Sequence, residues 1–268
     1  MNAQRLKGQA AWISGSTAGI GEGIARLFAE EGAAVTIVGR NSENGERVVK
    51  EIADAGGKAI FTPCNVGDSD AVKASIDATV DAFGGLNILV NNAAIQHVQM
   101  LHEFSEDEWD SQMNVNVKSM FLAFKYAFPH LRKNEKSYVV NVGSISSFVG
   151  QDRTPVYTTS KGAILQLSKS IALDYARFGI RCNCVCPGIT DTPMLRKHLN
   201  ALPNPDELLA ERLRRVPLGM ILTPNDVAKS ILFLACDDSS GITGTSLLVD
   251  GGYLAAAEWD CQQVAGSE

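Results

Sequence analysis

Residues 10–21, AAWISGSTAGIG, join a short apolar run to a glycine-rich turn that opens a longer segment of helical periodicity. The apolar run Ala10–Ser14 predicts a buried strand, and the periodic residues after the turn predict a helix. Glycines at positions 15, 19 and 21 allow a tight turn and let a pyrophosphate approach the backbone closely. The start of the helix offers free amide groups and the positive end of its dipole. The stretch therefore predicts the first strand, turn and helix of a dinucleotide-binding fold.

The alternation of strands and helices continues along the whole chain. We predict strands at 10–14, 34–38, 59–64, 88–91, 138–142, 181–185 and 246–249. We predict helices at 19–31, 42–55 and 68–83, from a Ser105/Glu108 capping box, at 155–178 and from Thr223-Pro224. Such alternation implies right-handed crossovers and a parallel sheet that is covered on both faces. The fold class is therefore α/β: one doubly wound Rossmann-type domain over residues 1–268, with a seven-stranded parallel sheet flanked by helices.

One proline-rich segment, Pro187–Leu222, interrupts this rhythm. We expect residues 188–222 to form a mobile substrate-binding flap, with a merely irregular connection as the alternative. The tail after Gly252 carries no assignment.

Composition restricts the classes of partner and the compartment. The chain has 268 residues and a net charge of −6, which argues against non-specific binding to nucleic acid. The start of the chain has no apolar run typical of a secretory signal, and no apolar stretch is long enough to span a bilayer. We therefore expect no membrane association and a cytoplasmic location.

The cysteines predict core residues rather than disulfides or a metal site. Cys182, Cys184 and Cys186 alternate along one predicted strand, a spacing narrower than the usual metal-binding pairs. The histidines His97 and His102 lack a set of partner ligands. Small buried side chains are the expected role of all six cysteines, and the set is completed by Cys64, Cys236 and Cys261.

The end of the second strand indicates which nicotinamide cofactor binds. In dinucleotide-binding folds a carboxylate there holds the 2′-hydroxyl of NAD, whereas a nearby arginine accommodates a 2′-phosphate. Gly39 stands where the acid is expected, and Arg40 follows it. A guanidinium can bind a phosphate through its planar fork of donors. We therefore expect NADP(H) to be preferred to NAD(H), the alternative being an ordinary surface arginine.

A possible proton-transfer site lies at the start of the helix at 155–178. Tyr157 and Lys161 are four residues apart and share one helical face. A nearby ammonium favours the phenolate and should lower the tyrosine pKa. Ser144 follows the fifth strand and can converge on Tyr157, with Ser146 and Ser147 as alternatives.

Asn116 falls inside a predicted helix, where asparagine is unfavourable. It either faces solvent or holds a water beside Lys161.

From about Leu6 to Gly252 the chain resembles the short-chain dehydrogenase/reductase family. The resemblance is carried by several motifs in order: Gly15, Gly19 and Gly21; Asn91-Asn92-Ala93; Asn116, Ser144, Tyr157 and Lys161; Pro187-Gly188 with Thr192; and Val249-Asp250-Gly251-Gly252. The chain departs from the family pattern at Asn65, at Ala94 and at Gly143, where many members carry a second serine.

The resemblance implies an oxidoreductase that transfers a hydride between a nicotinamide cofactor and a secondary alcohol or ketone. Tyr157 would be the general acid or base, Lys161 would lower its pKa and bind the nicotinamide ribose, Ser144 would hold the carbonyl oxygen, and Asn116 would support a water-mediated proton relay. A homotetramer is also implied, with the helix from Ser105 and the helix from Pro155 packing across an interface. The expected cofactor-binding residues are Gly15, Ser16, Thr17, Gly19, Ile20, Gly21, Arg40, Asn65, Val66, Asn92, Ala93, Ala94, Tyr157, Lys161, Pro187, Gly188, Ile189 and Thr192.

Two other functions remain as alternatives. A non-catalytic nucleotide-sensing regulator would keep the glycine turn but has little need for the four catalytic residues together. A sugar-nucleotide epimerase would need more chain after Gly188 for its substrate domain. The substrate is a small molecule that we expect to be polar, and the predicted pocket positions are Gln96, His97, Ser146, Gln151, Met194, His198 and Tyr253.

Overall fold

The computed structural model describes residues 4–256, and its centre is one seven-stranded sheet. All strand pairs are parallel, in the order β3-β2-β1-β4-β5-β6-β7. The strands are β1 (Ala10–Ser14), β2 (Ala34–Gly39), β3 (Lys58–Pro63), β4 (Ile88–Asn91), β5 (Ser137–Val142), β6 (Ile180–Pro187) and β7 (Ser246–Val249). The order reverses between β1 and β4, which is the topological switch point of a doubly wound fold.

Helices cover both faces of the sheet, as predicted. The helices of the described residues are α1 (Gly19–Glu30), α2 (Ser42–Asp54), α3 (Ser69–Phe83), α4 (Glu106–Met113), α5 (Ser119–Leu131), α6 (Pro155–Tyr175), α7 (Pro193–Asn200), α8 (Pro205–Leu213) and α9 (Pro224–Leu234). One core layer contains residues of α1, α2 and α9, and the other contains residues of α3, α5 and α6. The expected α/β class and seven-stranded parallel sheet are confirmed.

Strand β1 shows why these strands are almost continuously apolar. All five of its residues are buried, because helices cover the sheet on both sides. Ile13 packs into one core layer and Trp12 into the other. The indole nitrogen of Trp12 donates a hydrogen bond to the Ser75 hydroxyl at 2.8 Å, so that its one polar atom is satisfied.

The long helix predicted from Ser105 is interrupted. Its capping box is present, with the Glu108 amide donating to the Ser105 hydroxyl. After Met113, however, residues Asn114–Lys118 form a π-helical turn before α5 begins. A π turn inserts an extra residue into the helical repeat, and such turns are frequent at functional sites.

The flap segment contains two short helices, α7 and α8, rather than an irregular connection. Thr192 caps α7 by accepting a hydrogen bond from the Leu195 amide at 3.2 Å. Pro193 and Pro205 occupy the first turns of the two helices, where a missing amide hydrogen costs nothing. The two ends of the segment are joined by a hydrogen bond from the Leu222 amide to the Ile189 carbonyl at 2.9 Å.

The cysteine prediction is confirmed for five of the six residues. Cys64, Cys182, Cys184, Cys186 and Cys236 are buried free thiols, and Cys261 lies outside the described residues. None of the helices within residues 4–256 has the length and apolar character needed to cross a bilayer.

Candidate active site

A large cavity lies above the carboxyl ends of the strands, at the switch point between β1 and β4. Its volume is about 1130 Å³, which is larger than a typical small-molecule pocket and gives room for a dinucleotide together with a substrate. The predicted residues that line it are Gly15, Thr17, Gly19, Ile20, Arg40, Asn65, Val66, Asn92, Ala93, Ala94, Ser144, Tyr157, Lys161, Pro187, Gly188, Ile189 and Thr192. The structure thus brings most of the sequence-predicted site together around one cavity.

The glycine turn packs directly on the loop after β4. Gly15 has a φ of +66°, and a Cβ at this position would lie 2.9 Å from the Cα of Ala93. The Ser14 hydroxyl accepts hydrogen bonds from the amides of Asn92 at 2.9 Å and Ala93 at 3.1 Å. The Asn92 side chain in turn donates to the Ser14 carbonyl at 3.0 Å. Only glycine satisfies both the backbone angle and the close approach at position 15.

The start of α1 fits a phosphate-bearing cofactor. Ala18 is the N-cap residue, and it supplies no side-chain acceptor to the first amides of the helix. Such free amides at the positive end of the helix dipole bind anions.

Two of the predicted cofactor residues, Ser16 and Gly21, do not line the cavity. The Ser16 hydroxyl donates to the Ile13 carbonyl at 2.6 Å and accepts from the Val38 amide at 2.9 Å, so it ties β1 to β2.

The end of β2 has no room for an acidic side chain. A Cβ on Gly39 would lie 2.7 Å from the Cγ2 atom of Thr17, which must move before a larger residue fits. Arg40 is exposed, lines the cavity, and makes no ion pair within the described part of the chain. This guanidinium is therefore free to bind a ligand.

Ser144, Tyr157 and Lys161 form one group on the cavity wall. The Lys161 ammonium lies 5.5 Å from the centre of the Tyr157 ring and donates a hydrogen bond to the Val142 carbonyl at 2.8 Å. Lys161 is only 2% exposed, so it does not point into bulk water. The Ser144 amide donates to the Ser147 hydroxyl, which itself donates to the Lys161 carbonyl at 2.8 Å. These bonds connect the loop after β5 to α6 and fix the relative positions of the three side chains.

The expectation that Lys161 lowers the pKa of Tyr157 is wrong for this structure. Burial raises the pKa of Tyr157 to about 12, and a hydrogen bond with Ser144 only partly opposes the increase. Burial also lowers the pKa of Lys161 to about 8. Desolvation disfavours the charged form of both groups and here outweighs their mutual attraction. Tyr157 is therefore a neutral phenol near pH 7.

Asn116 is neither solvent-facing nor part of the cavity wall. It is fully buried in the π turn, where its side-chain oxygen accepts from the Ile95 amide at 2.8 Å. Its side-chain nitrogen donates to the Ile95 carbonyl and to the Ser160 hydroxyl, both at 3.0 Å. Asn116 thereby connects the loop after β4 to α6, the helix that carries Tyr157.

Gly143 makes room for two thiols directly behind the site. The sulfur atoms of Cys184 and Cys186 lie 3.6 Å apart. A Cβ on Gly143 would lie 2.9 Å from the first sulfur and 2.8 Å from the second. The glycine that replaces the family's serine at this position is thus matched to the two cysteines of β6.

The far end of the cavity was predicted only in part. Gln96, Ser146, Gln151, Met194, His198 and Tyr253 line it, but His97 does not. Sequence reasoning missed three cations in the lining, Arg153, Arg212 and Arg215. It also missed the apolar side chains that accompany them, among which are Ile145, Val149, Leu195, Leu202 and Leu208. The charges of the flap segment were the only signal in the sequence, and no spacing rule places an arginine of α8 over a distant loop.

Comparison with known proteins agrees with this geometry. Residues 15–254 match a family model described as enoyl-(acyl carrier protein) reductase. An uncharacterized oxidoreductase of Thermotoga maritima is 40% identical over 93% of this chain and 99% of that protein. The dehydrogenase/reductase SDR family member 6 of Danio rerio is 36% identical, over 93% of this chain and 98% of that protein. The solved structure of the Thermoplasma acidophilum aldohexose dehydrogenase in its ligand-free form superimposes with a TM-score of 0.87 at 33% identity, covering 96% of this chain and 98% of that one.

Proposed function

The chain belongs to the short-chain dehydrogenase/reductase family of nicotinamide-dependent oxidoreductases, and on that premise we propose that it interconverts a secondary alcohol and a ketone with Tyr157 as the proton donor and acceptor. The observation that supports this proposal most strongly is the group formed by Ser144, Tyr157 and Lys161 on the wall of the cavity. A regulator that only senses nucleotides has no need for a buried lysine beside a tyrosine in such a position.

The cavity residues suit the two halves of a nicotinamide cofactor. The glycine turn and the start of α1 would hold the pyrophosphate, and Lys161 would bind the nicotinamide ribose. Ile189 and Thr192, at the start of the flap, would contact the carboxamide or the phosphates. When bound, the nicotinamide supplies or accepts the hydride at the substrate carbon.

Tyr157 and Ser144 would act on the substrate oxygen. In the reducing direction the Ser144 hydroxyl donates a hydrogen bond to the carbonyl oxygen and polarises it. The neutral Tyr157 phenol then transfers its proton to that oxygen as negative charge develops, leaving a phenolate that is reprotonated from solvent. Lys161, when it is an ammonium, stabilises the phenolate electrostatically. Asn116 would hold the helix α6 in register and support a water-mediated path for that proton.

NADP(H) is the cofactor that the end of β2 favours. Gly39 leaves no carboxylate to hold a 2′-hydroxyl or repel a 2′-phosphate, and Arg40 offers a guanidinium that has no ion-pair partner in the described residues. The substrate side of the cavity, including residues 188–222, would select a small carbonyl or alcohol compound.

Replacement of Tyr157 by Phe tests the proton-transfer role. We expect Tyr157→Phe to abolish ketone reduction while cofactor binding, measured by fluorescence titration, stays within a few-fold of the wild type. The loss follows because the variant keeps the ring but removes the ionisable proton.

A matched control is Tyr175→Phe on the same helix, since Tyr175 packs against Phe124 and Phe128 and does not line the cavity. This control should retain the full rate. Undiminished turnover in Tyr157→Phe would contradict the proposed mechanism.

A further inference from the structure

We propose that the substrate carries an anionic group, a carboxylate or a phosphate, and that Arg153, Arg212 and Arg215 bind it at the far end of the cavity. This inference rests on the proposed function, because it assigns the substrate class of the same site. All three arginines line the cavity that contains Ser144 and Tyr157. Arginine is well suited to carboxylates and phosphates, since its planar fork makes two parallel hydrogen bonds to either group.

This cationic end is separate from the cofactor end. Arg40 follows β2, whereas the flap follows β6, and the sheet order places four strand-to-strand steps between them. At a strand spacing of about 4.8 Å these two strands lie roughly 19 Å apart. Arg153 lies four residues before Tyr157, on the loop that leads into α6. The three arginines therefore surround the substrate side of the catalytic group and not the side of Arg40.

Arg212 is held in place without being neutralised. Its guanidinium donates to the Nε2 atom of His198 at 3.3 Å, a contact that links α8 to α7. Burial and the neighbouring Arg212 both lower the pKa of His198, so that this imidazole is neutral near pH 7. The histidine consequently orients one nitrogen of the fork and leaves the positive charge of Arg212 available to a ligand.

Arg215 and Arg153 are also fixed by the surrounding backbone. The Arg215 guanidinium lies 5.2 Å from the centre of the Tyr253 ring, a cation–π contact. The segment after Arg215 is attached to the turn before Tyr253, because the Leu218 amide donates to the Gly251 carbonyl at 3.1 Å. Arg153 has a φ of +53°, a backbone conformation that costs of order 1 kcal/mol for a residue with a side chain. A hydrogen bond from the Gln99 amide to the Arg153 carbonyl at 2.7 Å holds it there.

The charge balance leaves these arginines open to an anion. Two carboxylates, Asp152 and Glu211, line the same cavity. Within residues 4–256 neither of them comes within 4.0 Å of a guanidinium or ammonium group, and the three arginines form no ion pair. Three cations therefore face two separate carboxylates, and the donors of each guanidinium remain available. A substrate anion would supply the missing acceptor.

Matched pairs of ketones test this assignment. The probes are a homologous series of methyl ketones that end in a carboxylate, each paired with its methyl ester, and a phosphate arm of hydroxyacetone phosphate paired with the methyl ether of hydroxyacetone. We expect kcat/KM to be at least tenfold higher for the charged member of one or both arms, mainly through a lower KM. The arm that shows the larger ratio identifies the anion as carboxylate or phosphate.

Variants then assign the preference to particular residues. Arg212→Gln and Arg215→Gln should each remove most of the tenfold advantage of the charged probe and leave kcat/KM for the neutral probe unchanged. Arg212→Lys, which keeps the charge but loses the fork, should retain part of it. The control is Arg214→Gln, because Arg214 lies between these residues in sequence, is exposed and does not line the cavity. Thermal unfolding of each variant checks that it is folded.

Three outcomes separate the two proposals. Equal kcat/KM for charged and neutral ketones in the wild type overturns the anionic substrate and leaves the oxidoreductase function standing. The same loss in Arg214→Gln as in Arg212→Gln also overturns it, because a general surface-charge effect then explains the preference. Failure to reduce any ketone, charged or neutral, refutes the proposed function and this inference with it.

Discussion

Lys161 combines a charge with almost complete burial. It is 2% exposed, and its ammonium donates to one main-chain carbonyl, that of Val142. Burial lowers its pKa from 10.5 to about 8. The protonated form is thus poorly solvated in the folded state, and folding stability must depend on pH through this residue. A cation that destabilises the fold yet sits beside Tyr157 is the kind of local cost that catalytic sites contain.

We expect the stability of the wild type, relative to Lys161→Met, to rise as the pH is raised from 8 to 10.5. The folded protein loses the Lys161 proton near pH 8, whereas the unfolded chain keeps it until about pH 10.4. Between these values the unfolded state binds more protons, so a higher pH favours the folded state, by up to about 3 kcal/mol. Urea unfolding of both proteins at several pH values measures the difference.

Lys169→Met is the matched control, since Lys169 lies on the same helix but is exposed. Its stability relative to the wild type should stay level across this range. A flat difference between the wild type and Lys161→Met would show that the buried lysine has an ordinary pKa.

At the residue scale the sequence predicted positions better than energies. The four-residue spacing of Tyr157 and Lys161 was sufficient to place both on one helical face, and both line the cavity. The direction of the Tyr157 pKa was wrong because burial depends on walls contributed by distant elements. Gly143, for example, brings the β5 loop against two sulfurs of β6, and nothing near Tyr157 in the sequence reports that contact.

Among the elements, the end of β2 determines which cofactor is accepted. We expect a higher kcat/KM with NADPH than with NADH. Arg40→Ala should reduce kcat/KM for NADPH by about tenfold or more, because a charge-assisted hydrogen bond to a phosphate is worth roughly 1.5–3 kcal/mol. The value for NADH should change little, since its ribose has no phosphate for Arg40 to bind. Steady-state kinetics with both cofactors measures these effects.

Lys58→Ala provides the control for charge alone. Lys58 is exposed at the amino end of β3, on the opposite edge of the sheet from the cavity, and its removal should affect neither cofactor. A clear preference of the wild type for NADH would make the Arg40 inference wrong.

Elements were predictable wherever local pattern and capping agreed. Strands β1, β4 and β7 have the predicted bounds, and the capping box at Ser105 is present. The π turn at Asn114–Lys118 was missed because apolar spacing there still resembles a continuous helix. Its geometry depends on Asn116, whose side chain bonds both atoms of the Ile95 peptide group, a contact between segments 21 residues apart. Long-range contacts of this kind leave no period in the sequence.

For the molecule as a whole, two helices of one face carry large apolar side chains that the monomer leaves exposed. Leu173 on α6 is 82% exposed and Phe121 on α5 is 53% exposed. The core beneath them is complete, since Ala127 of α5 and Ile171 of α6 are buried in the layer that covers the sheet. Exposed leucine and phenylalanine on adjacent helices are typical of a protein–protein contact. They occupy the helices that the family resemblance places at a subunit interface.

We therefore predict that the chain is a homotetramer in solution and that Leu173→Lys, alone or with Phe121→Lys, weakens it. Burying a lysine ammonium in an apolar contact is costly, so the variants should dissociate to smaller species at micromolar concentration. Analytical ultracentrifugation should give a mass near that of four 28.7 kDa chains for the wild type and a lower mass for the variants. Leu218→Lys is the control, because Leu218 is 69% exposed on the flap segment and lies on neither helix. A monomeric wild type, or dissociation by Leu218→Lys but not by Leu173→Lys, would place the contact elsewhere, because only a contact through α5 and α6 makes Leu173 the sensitive position.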